Sequence, residues 1–356
     1  MKITPISLIL LAGMLVPSRV HAKGSPAEEL LVLSKGDSML AIVDLSNLKV
    51  TARIPAGHDP HEVIASADGR TAYVSNYGFG AYNTLTVIDL ASRQALPSVD
   101  LGPLRGPHGL VFAGEKVWFT AEAAKAIGSY DPAAKKVDWI LGTGQNRTHM
   151  IHVSPDIKRI VTTNERSATV SIIEKIIGNG PGPGGPAGPP PPGPPPGAGG
   201  PMGAPGGDWD ETVVRVGSGS EGFDVSPDGR EIWVANARDG TVSIVDTSSK
   251  TVTETLAADV GGANRLKFTP DGKRVLISTL RGPDLTIIDS ATRKTIKRIP
   301  VGHGAAGIVM QPDGSRAFVA CTPDGYVAVI NLNTLEAVGR IDAGPGPDGL
   351  AWVRRP

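Results

Sequence analysis

A short phrase recurs seven times along the 356-residue chain: an alternating apolar strand that ends in an acidic residue or its amide. The seven copies end at Asp44, Asp89, Asp131, Glu174, Asp246, Asp289 and Asn331. Successive ends lie 42 to 45 residues apart except for one interval of 72, so a unit of about 43 residues repeats and one copy carries an insertion. A period in the forties with four short strands per unit predicts an all-β fold, a seven-bladed β-propeller of four-stranded antiparallel blades.

The turns between the first two strands of a unit, A and B, favour the same architecture. Four units carry an Asp-Gly pair at this point: Asp68-Gly69, Asp228-Gly229, Asp271-Gly272 and Asp313-Gly314. Asp and Gly tolerate the positive φ that a tight hairpin requires, so we interpret these pairs as structural. The third unit departs from the pattern, with Ala113-Gly114-Glu115 in place of Asp-Gly.

The two ends of the chain predict how the ring closes. The first unit, Leu30 to Pro55, lacks a strand A, whereas Asp348 to Val353 resembles a strand A without a unit of its own. Three N-terminal strands and one C-terminal strand would together form blade one. Such pairing removes the exposed sheet edges of an open ring.

Strand B ends in a repeated motif that carries a family resemblance. Its copies include Tyr73-Val74-Ser75-Asn76, Val161-Thr162-Thr163-Asn164, Trp233-Val234-Ala235-Asn236 and Phe318-Val319-Ala320-Cys321. The pattern resembles the YVTN β-propeller repeat family over almost all of the chain that follows the N-terminal 22 residues. That resemblance implies a WD40-like seven-bladed propeller, many of which are exported. Relatives of this architecture include lactonases, a copper-site reductase and haem-d1-binding proteins, so the fold alone leaves the activity open.

The N-terminus predicts export. Lys2 precedes an apolar run from Ile6 to Val16, followed by the small residues of a cleavage site at Val20-His21-Ala22. We predict a signal peptide at residues 1–22 and a propeller at 23–356 that is periplasmic or secreted. No later segment is long and apolar enough to span a bilayer.

Charge and cysteine content limit the classes of partner. The chain has 35 basic and 35 acidic side chains, and so lacks the positive charge that nucleic acid or an anionic membrane would attract. A single cysteine, Cys321, cannot form an intramolecular disulfide, and we interpret it as an inert residue at a strand end. We expect a monomer whose partners are a metal ion or small molecule.

Residues 178–207 are almost entirely Gly, Pro and Ala and account for the long interval between repeats. Such a segment has few apolar side chains to bury and few backbone donors. We expect a disordered insert in blade four, between strands C and D, that acts as a spacer or as a docking site for a proline-recognising protein.

The histidines depart from the repeat in a pattern. Six remain after the predicted signal peptide, all at or beside the connections from strand D to the next strand A: His58, His61, His108, His149, His152 and His303. Aligned on the start of strand A, the seven units carry, in order around the ring, His61, His108, His149, Glu221, Asn264, Ala306 and Asp348. The aligned position faces the axial channel.

Three imidazoles and one carboxylate from consecutive blades could therefore meet at the channel mouth. Imidazole and carboxylate suit zinc, copper, iron or nickel, so the predicted ligands of a divalent or transition metal are His61, His108, His149 and Glu221. The alternative is a polar, water-filled channel in which these side chains only satisfy turn carbonyls.

Further side chains are expected on the same face. The connections from strand B to strand C in blades two to four contribute an aromatic and acidic rim suited to a small ligand, formed by Tyr77, Phe79, Tyr82, Glu122 and Glu165. Glu122 and Glu165 are the candidate general bases. Arg238, Arg265 and Arg281 are either anion-binding groups or solvated surface charges. No phosphate-binding or dinucleotide fingerprint occurs.

Three functions remain open on sequence grounds. The first is an exported propeller that binds a metal ion or small ligand at the channel mouth. The second is a lactonase-like hydrolase or lyase. The third is a non-enzymatic interaction platform in the cell envelope that uses the flat face and the proline-rich insert.

Overall fold

The computed structural model describes residues 28–176 and 208–355, and these form seven four-stranded antiparallel sheets arranged as the blades of one ring. The predicted seven-bladed all-β propeller is thus confirmed. The predicted signal peptide, residues 1–22, and the predicted insert, residues 178–207, lie outside the described residues.

Every blade contains strands A to D in the same spatial order, with A nearest the axis. Strands of blades one to three are β1 (Glu28–Ser34), β2 (Met39–Asp44), β3 (Lys49–Pro55), β4 (Pro60–Ala65), β5 (Thr71–Asn76), β6 (Thr84–Asp89), β7 (Gln94–Asp100), β8 (Pro107–Ala113), β9 (Lys116–Ala121), β10 (Ala126–Asp131) and β11 (Lys136–Gly142). Blades four and five contain β12 (Thr148–Val153), β13 (Arg159–Asn164), β14 (Thr169–Lys175), β15 (Trp209–Arg215), β16 (Ser220–Val225), β17 (Glu231–Asn236), β18 (Thr241–Asp246) and β19 (Thr251–Leu256). Blades six and seven contain β20 (Ala263–Phe268), β21 (Arg274–Thr279), β22 (Asp284–Asp289), β23 (Thr295–Pro300), β24 (Ala305–Met310), β25 (Arg316–Cys321), β26 (Tyr326–Asn331) and β27 (Glu336–Ile341), and the chain ends in β28 (Pro347–Arg354).

Blade one is closed by the C-terminal strand, as predicted. Its strand order is β28-β1-β2-β3, and β28 pairs antiparallel with β1, with Leu31 opposite Ala351. Each innermost strand contacts the innermost strands of both neighbouring blades, so the contacts run around the whole ring.

The core lies between neighbouring blades. The inner residues of strands B and C are mostly buried on both faces of the sheet. Alternate side chains pack against opposite neighbours, and one cluster joins Leu31 and Ile42 of blade one to Val74 and Ile88 of blade two. Each such side chain contributes about 1.5–3 kcal/mol when removed from water. Packing of this kind stabilises the ring without a disulfide, and Cys321 is itself fully buried.

The repeated acid at the end of strand C has a structural role. In six units its side-chain oxygen accepts backbone N–H groups two or three residues further on, as when Asp89 Oδ1 accepts from Ala91 and Ser92 at 2.8 Å. Glu174 is the exception and pairs instead with Arg159 and Lys250. The acidic or amide residue that ends each repeated segment therefore caps the turn after strand C.

The connections between strands B and C are uniform except in blade two. Six blades use four residues, such as 122–125 in blade three, whereas blade two uses seven, 77–83, with a short 3₁₀ turn at Gly78–Gly80. None of the helical segments among the described residues has the length and hydropathy needed to cross a membrane.

Candidate functional site

The aligned polar residues sit at a distortion at the start of strand A. His61 lies on β4, His108 on β8, His149 on β12 and Glu221 on β16, and each of these strands shifts register against its strand B within its first four residues. Such bulges redirect side chains locally. Here the distorted segment is the one that faces the neighbouring blade at the channel mouth.

Two structural features, a hydrogen bond between blades and a glycine, fix the spacing between successive innermost strands. A hydroxyl near the end of strand B donates to the backbone carbonyl of the aligned residue in the next blade: Ser75 to His108 at 3.0 Å, Thr120 to His149 at 2.7 Å and Thr163 to Glu221 at 2.8 Å. The residue after His108 is Gly109, whose Cβ, if present, would lie 2.7 Å from the carbonyl oxygen of His149. The strand B motif therefore positions the site as well as the fold.

The three imidazoles lie against one another. The ring centroids of His61 and His108 are 4.3 Å apart, and those of His108 and His149 are 3.8 Å apart. Tyr77 covers the first two rings at 5.1 and 5.0 Å. His108 and His149 are buried, so the cluster is shielded from bulk water.

His149 is held as an imidazolium between two carboxylates. Its Nδ1 donates to Glu122 Oε1 at 2.5 Å and its Nε2 donates to Glu221 Oε1 at 2.8 Å. Burial opposes the charged ring, but the two carboxylates outweigh it and raise the pKa of His149 to about 9. Burial likewise opposes the charge of Glu221, yet His149 lowers the pKa of Glu221 to about 2.

The other two imidazoles are neutral. Burial, reinforced by the Lys35 ammonium, lowers the pKa of His61 to about 3. Burial and the neighbouring His149 hold the pKa of His108 well below its ordinary value. Among the described residues, nothing hydrogen-bonds to the buried Nδ1 of His108. An unpartnered buried polar atom is costly and needs an explanation.

Glu122, which follows strand B of blade three, contacts several polar side chains beside the imidazoles. Its Oε2 accepts from the Tyr77 hydroxyl at 2.5 Å and lies 3.4 Å from Arg147 Nε. Burial raises the pKa of Glu122, but the His149 hydrogen bond overcomes this and leaves it below its ordinary value. Glu165, the other candidate base, lies between Arg147 at 3.3 Å and Arg238 at 3.0 Å.

A second charged group lies beside His61. Lys35 Nζ is 2.6 Å from His61 Nδ1, 3.2 Å from Asp59 and 3.4 Å from Asp348. Burial raises the pKa of Asp348. Lys35 stands on the connection from strand B to strand C of blade one, and nothing in its sequence context singled it out.

One ion pair crosses the channel. Arg265 of blade six is 4% exposed and pairs with Glu62 of blade two. Arg265 is therefore not a solvated surface charge. Both residues directly follow the aligned position in their units, where four other blades carry glycine, and this contrast was the available sequence signal.

Two sets of potential metal donors overlap at His108. One comprises His61, Glu62 and His108, the other His108, Glu122 and His149, and within each set the donor atoms lie no more than 4.8 Å apart. Glu221 belongs to neither set and instead holds His149. The structure thus brings all four predicted ligands together, with Glu221 beside the imidazoles as a hydrogen-bond partner.

Other sequence candidates lie apart from this cluster. His58 stacks on Tyr82 at 5.8 Å, and His303 is exposed beside Asp324. His152 is half-buried, and burial lowers its pKa. Burial raises the pKa of Cys321 to about 11, in keeping with an inert thiol.

A cleft of about 630 Å³ opens beside the imidazoles on the same face. Its walls come from blades two to four and consist of Tyr77, Phe79, Gly80, Glu122, Ala123, Lys125, Asn146, Arg147 and Arg166. Glu122, Tyr77 and Arg147 therefore border both the cleft and the cluster.

Solved structures share this architecture at low identity. A protein of unknown function from Desulfotomaculum acetoxidans superimposes with a TM-score of 0.71 at 13% identity, over 92% of this chain and 99% of that one. A 6-phosphogluconolactonase-like protein from Bacteroides uniformis gives 0.68 at 15% identity, over 92% and 100%. Dihydro-heme d1 dehydrogenase gives 0.60 at 16% identity, over 93% and 67%. At such identities the likeness concerns the fold.

Sequence comparison gives two local matches. The dihydro-heme d1 dehydrogenase of Pseudomonas aeruginosa is 35% identical over 88 residues, which span 24% of this chain and only 18% of that protein. Residues 207–316 match the model of the YNCE-like β-propeller family. The ring of seven blades identifies the chain as a β-propeller, and this local match agrees with the predicted resemblance to propellers of the YVTN type.

Proposed function

We propose that this protein is an exported propeller that binds a transition-metal ion at the channel mouth through His61, His108 and His149. The observation that carries the proposal is His108, a buried neutral imidazole between two others with a ring nitrogen that lacks a partner. A metal ion would satisfy that nitrogen. Neutral imidazole is also the form that metals bind.

The surrounding charges fit such an ion. Glu122 lies within one donor set and Glu62 within the other, and both offer oxygen atoms to borderline metals. Glu221 contacts His149 at 2.8 Å and would orient that ring from outside the donor set. Carboxylates so placed offset the positive charge that binding brings into a buried site.

Two rearrangements accompany loading. His149 would have to lose a proton, because both of its nitrogens donate to carboxylates. If the ion takes His61 Nδ1, Lys35 would release that nitrogen and turn to Asp59 or Asp348, which it already contacts. Binding should therefore release protons.

The site has the elements of a Lewis-acid centre. A bound ion would polarise a carbonyl or lower the pKa of water. Of the two candidate bases, Glu122 borders both the imidazoles and the cleft, whereas Glu165 is held between arginines. We therefore assign proton transfer to Glu122, with Tyr77 and Arg147 orienting its carboxylate.

The test is elemental analysis of mature protein prepared without a histidine tag. We expect near-stoichiometric metal in the wild type, little in His108→Ala, and wild-type content in the matched control His303→Ala, whose imidazole is exposed and remote. Equal metal in all three, or none after reconstitution with zinc, copper, iron and nickel, would contradict the proposal. Lactone turnover that persists after chelation would favour a hydrolase instead.

A further inference from the structure

The cleft beside the imidazoles is built by a departure from the repeat. Only blade two among the seven lengthens its connection between strands B and C, to residues 77–83. Hydrogen bonds hold this loop in place: Gly78 N donates to Asp59 Oδ2 at 2.8 Å, and Arg105 Nε donates to Gly80 O at 3.2 Å. The extra residues therefore form a fixed lip over the cleft.

The lip presents an aromatic face to solvent. Phe79 is 82% exposed, and its ring centroid is 5.2 Å from that of Tyr77. Its φ is +50°, and it is the one aromatic residue among the described non-glycine residues with positive φ. A bulky side chain in this strained conformation, turned away from the core, is a feature that folding alone would not favour.

The walls from blades three and four carry cations. Lys125 and Arg166 are exposed, and the ion pairs of the described residues leave both without a carboxylate partner. Lys125 adopts φ +52° at a turn position where blades five and seven have Gly240 and Gly325. The chain thus places a lysine where glycine would be less strained. Arg147, which also lines the cleft, is already paired with Glu122 and Glu165.

We propose that this cleft binds a small planar aromatic carboxylate, with its ring against Phe79 and its carboxylate on Lys125 and Arg166. An aromatic face beside unpaired cations and a volume of about 630 Å³ suits a ligand of this size and charge. The inference rests on the proposed function in one respect: the bound anion would lie next to Glu122 and so within reach of the metal site.

The experiment uses 2-naphthoate as the probe and neutral 2-naphthamide as its uncharged counterpart, with dissociation constants measured by calorimetry on the full mature protein. We expect naphthoate to bind about tenfold or more tightly than naphthamide. Phe79→Asn should weaken both ligands, since asparagine tolerates the left-handed backbone but removes the ring. Lys125→Gly and Arg166→Gln should each weaken naphthoate about tenfold and leave naphthamide unchanged.

Lys135→Gly is the matched control. Lys135 is also exposed and has φ +53°, but it lies in the connection from strand C to strand D on the opposite face. Its replacement should leave naphthoate affinity unchanged. Absence of naphthoate binding, equal affinity for the two probes, or equal loss in Lys125→Gly and Lys135→Gly would overturn the inference.

The two proposals fail separately. A protein that takes up no metal but binds naphthoate, with the expected losses in Lys125→Gly and Arg166→Gln, overturns the metal proposal alone. A protein that retains metal but does not bind naphthoate overturns the cleft inference alone.

Discussion

At the scale of single residues, similar imidazoles acquire different charges from their neighbours. His61 and His108 are neutral because burial dominates, whereas His149 is charged because Glu122 and Glu221 contact both of its nitrogens. Alignment of the repeats identified all three histidines. Their charges could not be predicted, because Glu122 and Lys35 reach them from other connections of the ring.

The charge of His149 can be measured in the metal-free protein. Because its pKa is raised from 6.5 to about 9, its contribution to stability is complete below about pH 6.5 and is lost as the pH rises through 9. Histidine NMR signals, assigned with His149→Gln, should show one ring titrating near pH 9. A His149 ring that titrates near pH 6.5 would contradict the two hydrogen bonds from this ring to Glu122 and Glu221.

Gly109 tests the close approach of the innermost strands. Gly109→Ala places a methyl group against the backbone of β12, and we expect a loss of about 1–3 kcal/mol in the free energy of unfolding. Gly142→Ala is the control, because a Cβ there has no atom within 4 Å. Urea denaturation of both variants measures the difference, and equal midpoints would show that the approach is not required.

At the scale of elements, the same motif serves folding and the site. The hydroxyls of Ser75, Thr120 and Thr163 belong to the strand B motif, whose sequence pattern by itself indicates only the fold. Their partners are carbonyls of the next blade. A pattern within one repeat cannot reveal such contacts, because they depend on how neighbouring blades are packed.

Strand β28 is the element on which ring closure depends. Its side chains are largely buried and it pairs with β1, so its deletion exposes the core of blade one and an unpaired sheet edge. Removal of residues 347–356 should abolish cooperative thermal unfolding followed by circular dichroism. Val338→Ala, at an exposed position of the outermost strand β27, should leave the transition nearly unchanged. Identical melting of the truncated and full-length proteins would refute closure by β28.

At the scale of the whole molecule, the sequence predicted the ring more completely than the site. Seven blades, their strand order and the closing strand follow from repetition, because each unit buries the same apolar pattern between its neighbours. The Arg265–Glu62 pair across the channel and the lip at Phe79 depend on differences between blades. Both are visible as departures from the repeat, but their geometry requires the assembled ring.

The central claim is that the imidazole cluster holds a metal ion, and anomalous diffraction from crystals of metal-loaded protein tests it most directly. Data collected at the absorption edge of the bound metal should give a single peak at the channel mouth, about 2.0–2.1 Å from a ring nitrogen of His108. A peak only at His303 or another surface histidine, or a channel mouth without anomalous signal in protein that contains stoichiometric metal, would contradict the account.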